Sequence, residues 1–180
     1  MTWPKTYAEW VKSQTASSMA TQTGRLVSES PMDESVVSPA PEKLKGGEWR
    51  LATGVVVRAE LNSYTLESTL HAIERIPSEG WGRPAKFAPM RFIFTNKLGR
   101  VDKLLLVFDA LVLSEAVGRK IIVSKIVHGD DRATLKVNTP VLAGEVQKHI
   151  EKIAALLSSA TPPDLVLNRH CAGCEFQARS

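Results

Sequence analysis

The spacing of apolar positions changes along the chain, and each change marks an element. Arg50–Glu60 (RLATGVVVRAE) and Ser63–Pro77 (SYTLESTLHAIERIP) carry β-branched and aromatic residues with partial alternation, which predicts two strands. Pro89–Thr95 (PMRFIFT) alternates cleanly, with Met90, Phe92 and Phe94 on one face and Arg91, Ile93 and Thr95 on the other. It is expected to be a central third strand, and SEGWGRPAKF before it reads as a Gly/Pro loop. Leu104–Gly118 (LLLVFDALVLSEAVG) is apolar nearly all round, as a helix buried against the sheet would be. Asp102 is placed to cap its start and Gly118 to end it. Lys120–Val137 predicts a hairpin turning at His128–Asp131. Leu142, Val146, Ile150, Ile153 and Leu157 then make one stripe at helical spacing, so a second helix is expected over Thr139–Ser158, ended by Pro162 and Pro163.

Residues 1–48 carry a weaker pattern. Tyr7–Lys12 suits a short helix, but Val11–Glu48 holds seven Ser, three Thr and three Pro, a mixture that rarely builds a packed element. The expectation is a short helix and a flexible Ser/Thr/Pro-rich segment over 1–48, followed by one domain over 49–180. Strands interspersed with two helices place that domain in the mixed α/β class.

Composition narrows this little. With 180 residues, 43% of them hydrophobic, the chain is long enough for a real core. A net charge of +4 is compatible with a polyanionic partner without requiring one. The longest apolar run, Leu104–Leu113, is interrupted by Asp109 and is too short to cross a bilayer. MTWPKTYAEW lacks the basic-then-apolar design of a signal peptide. Both cysteines, Cys171 and Cys174, lie in one hook rather than in a disulfide framework. The expectation is a soluble, cytoplasmic protein with no membrane partner.

Three features together carry a family resemblance. A proline opens the strand Pro89–Phe94; a linker leads into D-x-L-L-L-x-F-x-A-L-x-L-x-E-x-x-G; and LNRHCAGCEFQAR closes the chain. From Trp49 to Ser180 the sequence resembles the RecB-like branch of the PD-(D/E)XK nucleases, relatives of the CRISPR-associated RecB-like exonucleases. The resemblance implies a restriction-endonuclease-like mixed central sheet flanked by helices. It also implies Mg²⁺- or Mn²⁺-dependent DNA cleavage by an acid on the second strand and Glu-x-Lys on the third.

Carried over, those three positions fall on His71, Arg91 and Ile93. A guanidinium does not ligate Mg²⁺, and isoleucine offers neither charge nor proton. The expectation is therefore a nuclease fold with its cleavage chemistry lost, serving to bind nucleic acid or to support an associated helicase region. The alternatives are an active nuclease with the non-standard ligands Asp109, Glu74 and Asp102, or a structural domain of a longer protein. Glu74 stands three positions from His71 and so points to the opposite face of a strand. Asp109, a lone carboxylate in an apolar helix, is expected to pair with Arg91.

The resemblance further implies a 4Fe–4S hook in which C-x-x-C-x-x-x-x-x-C joins a cysteine from earlier in the chain. Cys171 and Cys174 match the first pair, position 180 is Ser180, and there is no earlier cysteine. Two thiolates hold no cubane cluster in one chain. With His170 they make at most an incomplete zinc site. The hook segment, 165–180, is accordingly expected to be poorly ordered unless a partner chain or a missing helicase region completes it. DNA contacts are expected from basic residues around the presumed cleft: Arg75, Arg83, Lys86, Arg91, Lys97, Arg100 and Lys103.

Overall fold

A computed structural model describes residues 7–29, 35–37, 39, 41–46, 49–61, 64–77 and 84–161. The mixed α/β class is what it shows. In chain order the elements are α1 (Tyr7–Glu29), β1 (Ser35–Val37), a 3-10 turn (Pro41–Leu44), β2 (Leu51–Leu61), β3 (Tyr64–Ile76), β4 (Lys86–Ile93), α2 (Arg100–Val117), β5 (Val123–His128), β6 (Ala133–Asn138) and α3 (Thr139–Ser158). The six strands lie side by side in chain order. β2, β3 and β4 run antiparallel, β4 and β5 are parallel with α2 as the crossover, and β5–β6 is a hairpin. β1 adds a short parallel strand beside β2.

Pro89 stands inside β4 rather than at its start. It precedes the stretch paired to β5, which begins at Met90, so its missing N–H costs that ladder nothing. α2 starts at Arg100 and ends on Gly118, whose φ of 66° is the left-handed conformation glycine adopts freely. Its N-cap is Gly99, not Asp102. Asp102 acts from the first turn instead, its Oδ2 accepting the Gly99 N–H at 2.7 Å.

Two cores sit on the two faces of the sheet. On one face, Ala110, Val112 and Leu113 of α2 are fully buried, in a core that also holds Val55, Val57, Leu70, Ile73 and Phe87. On the other face Leu51, Ala72, Met90, Phe92 and Val127 pack against Met19, Leu26 and Val27 of α1. Arg91 turns toward α2, while its neighbours Met90 and Phe92 turn toward α1.

β2 and β3 carry a matched irregularity. Gly54 has φ 61°, and the pairing Thr53↔Ala72 and Val55↔Leu70 keeps one register across it. The faces nonetheless exchange: Ala52 and Ile73 belong to the α2-side core on one side of this point, Val55 and Leu70 on the other. Both strands change phase together, so the alternation in the sequence is only partial.

Two expectations are corrected. Among the described residues of 1–48 the helix is not short, because α1 runs 23 residues and packs on the sheet. Its hydroxyls are satisfied locally: Thr15 donates to the Val11 carbonyl and Thr21 to that of Ser17, so Ser/Thr content does not break the helix. A domain boundary at 48 also fails, since Leu44 is completely buried in the α2-side core. The expected helix over Thr139–Ser158 is α3, in which Val146 is buried while Ile153 and Leu157 are 57% and 82% exposed.

Candidate functional site

At the centre of the α2 face lies a closed ionic knot. Arg91 projects from β4 and meets Asp109 of α2 through Nε–Oδ2 at 2.9 Å and Nη2 to both oxygens at 2.8 and 2.9 Å. Ser68 of β3 donates its hydroxyl to Asp109 Oδ1 at 2.6 Å. The Asp109 side chain is 2% exposed and that of Arg91 is 20% exposed. Burial pushes the Asp109 carboxyl above its ordinary range, against the opposing pull of Arg91 and of the hydrogen bonds from Ser68 and Arg91. The pair is bidentate and charge-assisted, and every donor aimed at Asp109 comes from the protein itself.

His71 sits beside this knot and is also committed. Its Nδ1 accepts the Phe92 N–H at 3.0 Å, just past Ala72↔Met90, where the β3–β4 pairing ends. The imidazole thus supplies the acceptor that a strand carbonyl would otherwise supply. An accepting Nδ1 requires the neutral ring, and burial together with the Arg91 charge lowers its pKa to about 4. Ile93 ends β4 as an ordinary half-buried strand residue.

These positions do not form a divalent-metal site. Asp109 is spent on Arg91, and His71 on a backbone donor. Glu74 is on the opposite face, facing α1, and Asp102 is at the first turn of α2. No three His, Cys, Asp or Glu residues converge among the described residues. The donor set does not fit the Mg²⁺ or Mn²⁺ that the family resemblance implies. Cys171, Cys174 and His170, proposed for the 4Fe–4S or zinc hook, lie outside the described residues, as does Arg83.

An open cleft occupies the other face. It lies between the end of α1 and the sheet, with a volume of about 480 Å³. Its floor is Leu51, Met90 and Val127, each less than 9% exposed. Lys125 of β5 donates to Glu74 Oε2 of β3 at the same level. The parallel pairing that sets Lys125 opposite Met90 brings that lysine to this face. Arg25, Leu26 and Glu29 of α1 form one wall, with Arg25 Nε 3.6 Å from Glu29 Oε1. Arg50 and Arg75 border the end of the sheet, and the Arg75 guanidinium lies 5.9 Å from the Trp49 ring centroid. Four cationic side chains line the cleft against two carboxylates. The Nε atoms of Arg25 and Arg75 are buried without a hydrogen-bond partner among the described residues.

No family model matches the sequence, and no curated protein does. Among solved structures, the crystal structure of SSO0001 aligns with 91% of this chain and 94% of that one, at 13% identity and a TM-score of 0.43. That agreement is too low to establish a shared fold.

Of the basic residues picked out in the sequence, Arg75 alone among the described residues lines the cleft. Arg91 is consumed by Asp109, and Arg100 is paired with Glu145 through Nε–Oε1 at 2.9 Å and Nη2–Oε2 at 2.6 Å. Lys97 and Lys103 stand between β4 and α2 and in the first turn of α2, away from the cleft. The sequence reading missed Arg25 and Glu29 because it ended α1 too soon. It missed Lys125 because nothing in a hairpin pattern says which strand will lie beside it.

Proposed function

We propose that this chain is a nuclease-like module without nuclease chemistry that binds nucleic acid through the cleft between α1 and the sheet. The observation that carries the reading is the excess of cationic over acidic side chains around that cleft. Phosphate oxygens would satisfy such donors, and arginine does so in paired hydrogen bonds. The absence of cleavage follows from His71, Arg91 and Ile93, which offer no carboxylate pair, and from Asp109 and Glu74 lying on opposite faces. Support for the nuclease likeness is the sequence resemblance together with the mixed sheet and its flanking helices.

The test is equilibrium binding of labelled DNA at several salt concentrations, with Mg²⁺ or Mn²⁺ added in parallel samples. Binding should weaken with salt at a log–log slope of roughly −2 to −3, as expected for two or three phosphate contacts. Arg75→Gln combined with Arg50→Gln should weaken it and flatten the slope, and no metal should give cleavage. Binding that ignores those substitutions would move the site elsewhere. Cleavage lost on Glu74→Gln would restore the nuclease reading.

A further inference from the structure

The two helices that cover the sheet are held very differently. α2 buries seven of its residues, Asp109 among them. α1 is the longer helix, yet none of its described side chains is buried, and Met19, Leu26 and Val27, which meet the core of that face, are only half-buried. Seven of its 23 residues are Ser or Thr and another is Gly24, all weak helix formers, so α1 away from the sheet has little to keep it helical.

The layer beneath α1 also holds polar atoms that closure leaves unsatisfied. Gln22 follows Met19 by three residues and precedes Leu26 by four, which puts it on the face turned to the sheet. Its Oε1 is buried without a hydrogen-bond partner among the described residues. Thr53 of β2 is 1% exposed and stands opposite Ala72, so its side chain lies on the α1 side, and its Oγ1 has no partner either. Such an oxygen penalises the closed form, whereas water satisfies it once the layer opens. Asp109, under α2, instead receives hydrogen bonds from both Ser68 and Arg91.

We infer that α1 is a lid that opens as a unit from a sheet that otherwise stays folded. Opening bares Leu51, Ala72, Met90, Phe92 and Val127, and it removes the wall that Arg25 and Glu29 give the cleft. The cleft is thus the narrow mouth of a larger apolar surface whose exposure α1 controls. This holds whether or not the cleft binds nucleic acid.

Hydrogen exchange of the full chain at pH 7.5, followed by mass spectrometry in water and in sub-denaturing urea, tests the lid. Amides of 15–27 should exchange at least roughly tenfold faster than those of 104–113, with a shallower urea dependence, since opening one helix exposes less surface than unfolding. Val112→Ala weakens the α2-side core, so it should speed exchange in α2 while leaving α1 within about twofold of its original rate. Val117→Ala, at the end of the same helix, is the second variant should the first fail to fold. Gln22→Met and Thr53→Val remove the unsatisfied oxygens and should each slow α1 exchange roughly three- to tenfold. Exchange of α1 and α2 at one rate with one urea dependence, or a rate in α1 raised by Val112→Ala as much as in α2, overturns the inference by making the fold a single cooperative unit. Unslowed α1 exchange in both Gln22→Met and Thr53→Val overturns it as well, because the opening would then not reach that layer.

Discussion

On the α2 face Arg91 and Asp109 are locked together under a helix, whereas on the α1 face Lys125 and Glu74 meet at the floor of an open cleft. The first joins a strand to the helix packed on it and the second joins two strands across β4, and the surroundings give them different work. In the first pair the carboxylate is buried and held by the Ser68 hydroxyl as well, so the pair positions α2 on β4. The second is partly wet and opens on a cleft lined by Arg25, Arg50 and Arg75. A buried pair mainly penalises its own disruption, and a half-exposed pair contributes little to stability and remains available.

The largest effect that would test this contrast is on the closed side. Asp109→Ala leaves the Arg91 charge without its partner and should cost about 3–5 kcal/mol in urea unfolding. The double variant Arg91→Met, Asp109→Leu should recover most of that loss, since an apolar pair avoids the desolvation cost. A single-variant loss under about 1 kcal/mol would show the knot to be no more important than a surface pair.

The next effect is a pH dependence. His71 titrates near 4 in the folded chain and near 6.5 when unfolded, so between these values the unfolded chain holds the extra proton. Stability should therefore be full above about pH 6.5, fall as the pH drops toward 4 and level off below that as far as His71 is concerned. The loss is at most about 3 kcal/mol, less to the extent that solvent reaches the ring. In His71→Gln that part of the pH dependence should vanish, as measured by denaturant midpoints across the range.

Ser68→Ala should cost about 1–2 kcal/mol, the typical penalty for removing one donor from a buried acceptor. Smallest of all, Glu74→Gln combined with Lys125→Gln should change stability by less than about 1 kcal/mol while altering ligand binding. A destabilisation matching that of Asp109→Ala would make both faces structural and remove the distinction.

Much of the architecture was legible because burial writes a period into sequence. Met90, Arg91 and Phe92 announced a strand, Leu104–Gly118 a buried helix, and the lone Asp109 its partner Arg91. Helix α1 was not legible, since its stability comes from Met19, Leu26 and Val27 packing on the sheet rather than from propensity. The cleft was less legible still: Glu74 and Lys125 are 51 residues apart and meet only through two strand pairings. Chemistry at a family's expected positions could be judged from His71, Arg91 and Ile93, while chemistry assembled by tertiary pairing could not.

Gly54 gives the β2–β3 hairpin something like a reading frame. Upstream of it in β2 one parity of residue number means the α2 side, and downstream the other does; β3 makes the compensating shift around His71. Changes of length in this hairpin are therefore coupled. One residue removed from a single strand between Gly54 and the turn breaks the register, and one removed from each strand keeps the register but turns every side chain from the deletion to the turn to the other layer, so only two residues removed from each strand preserve the frame. Over evolutionary time such a hairpin should lengthen and shorten in steps of two, and its tip is the place where a sequence can drift in length without disturbing either face of the sheet.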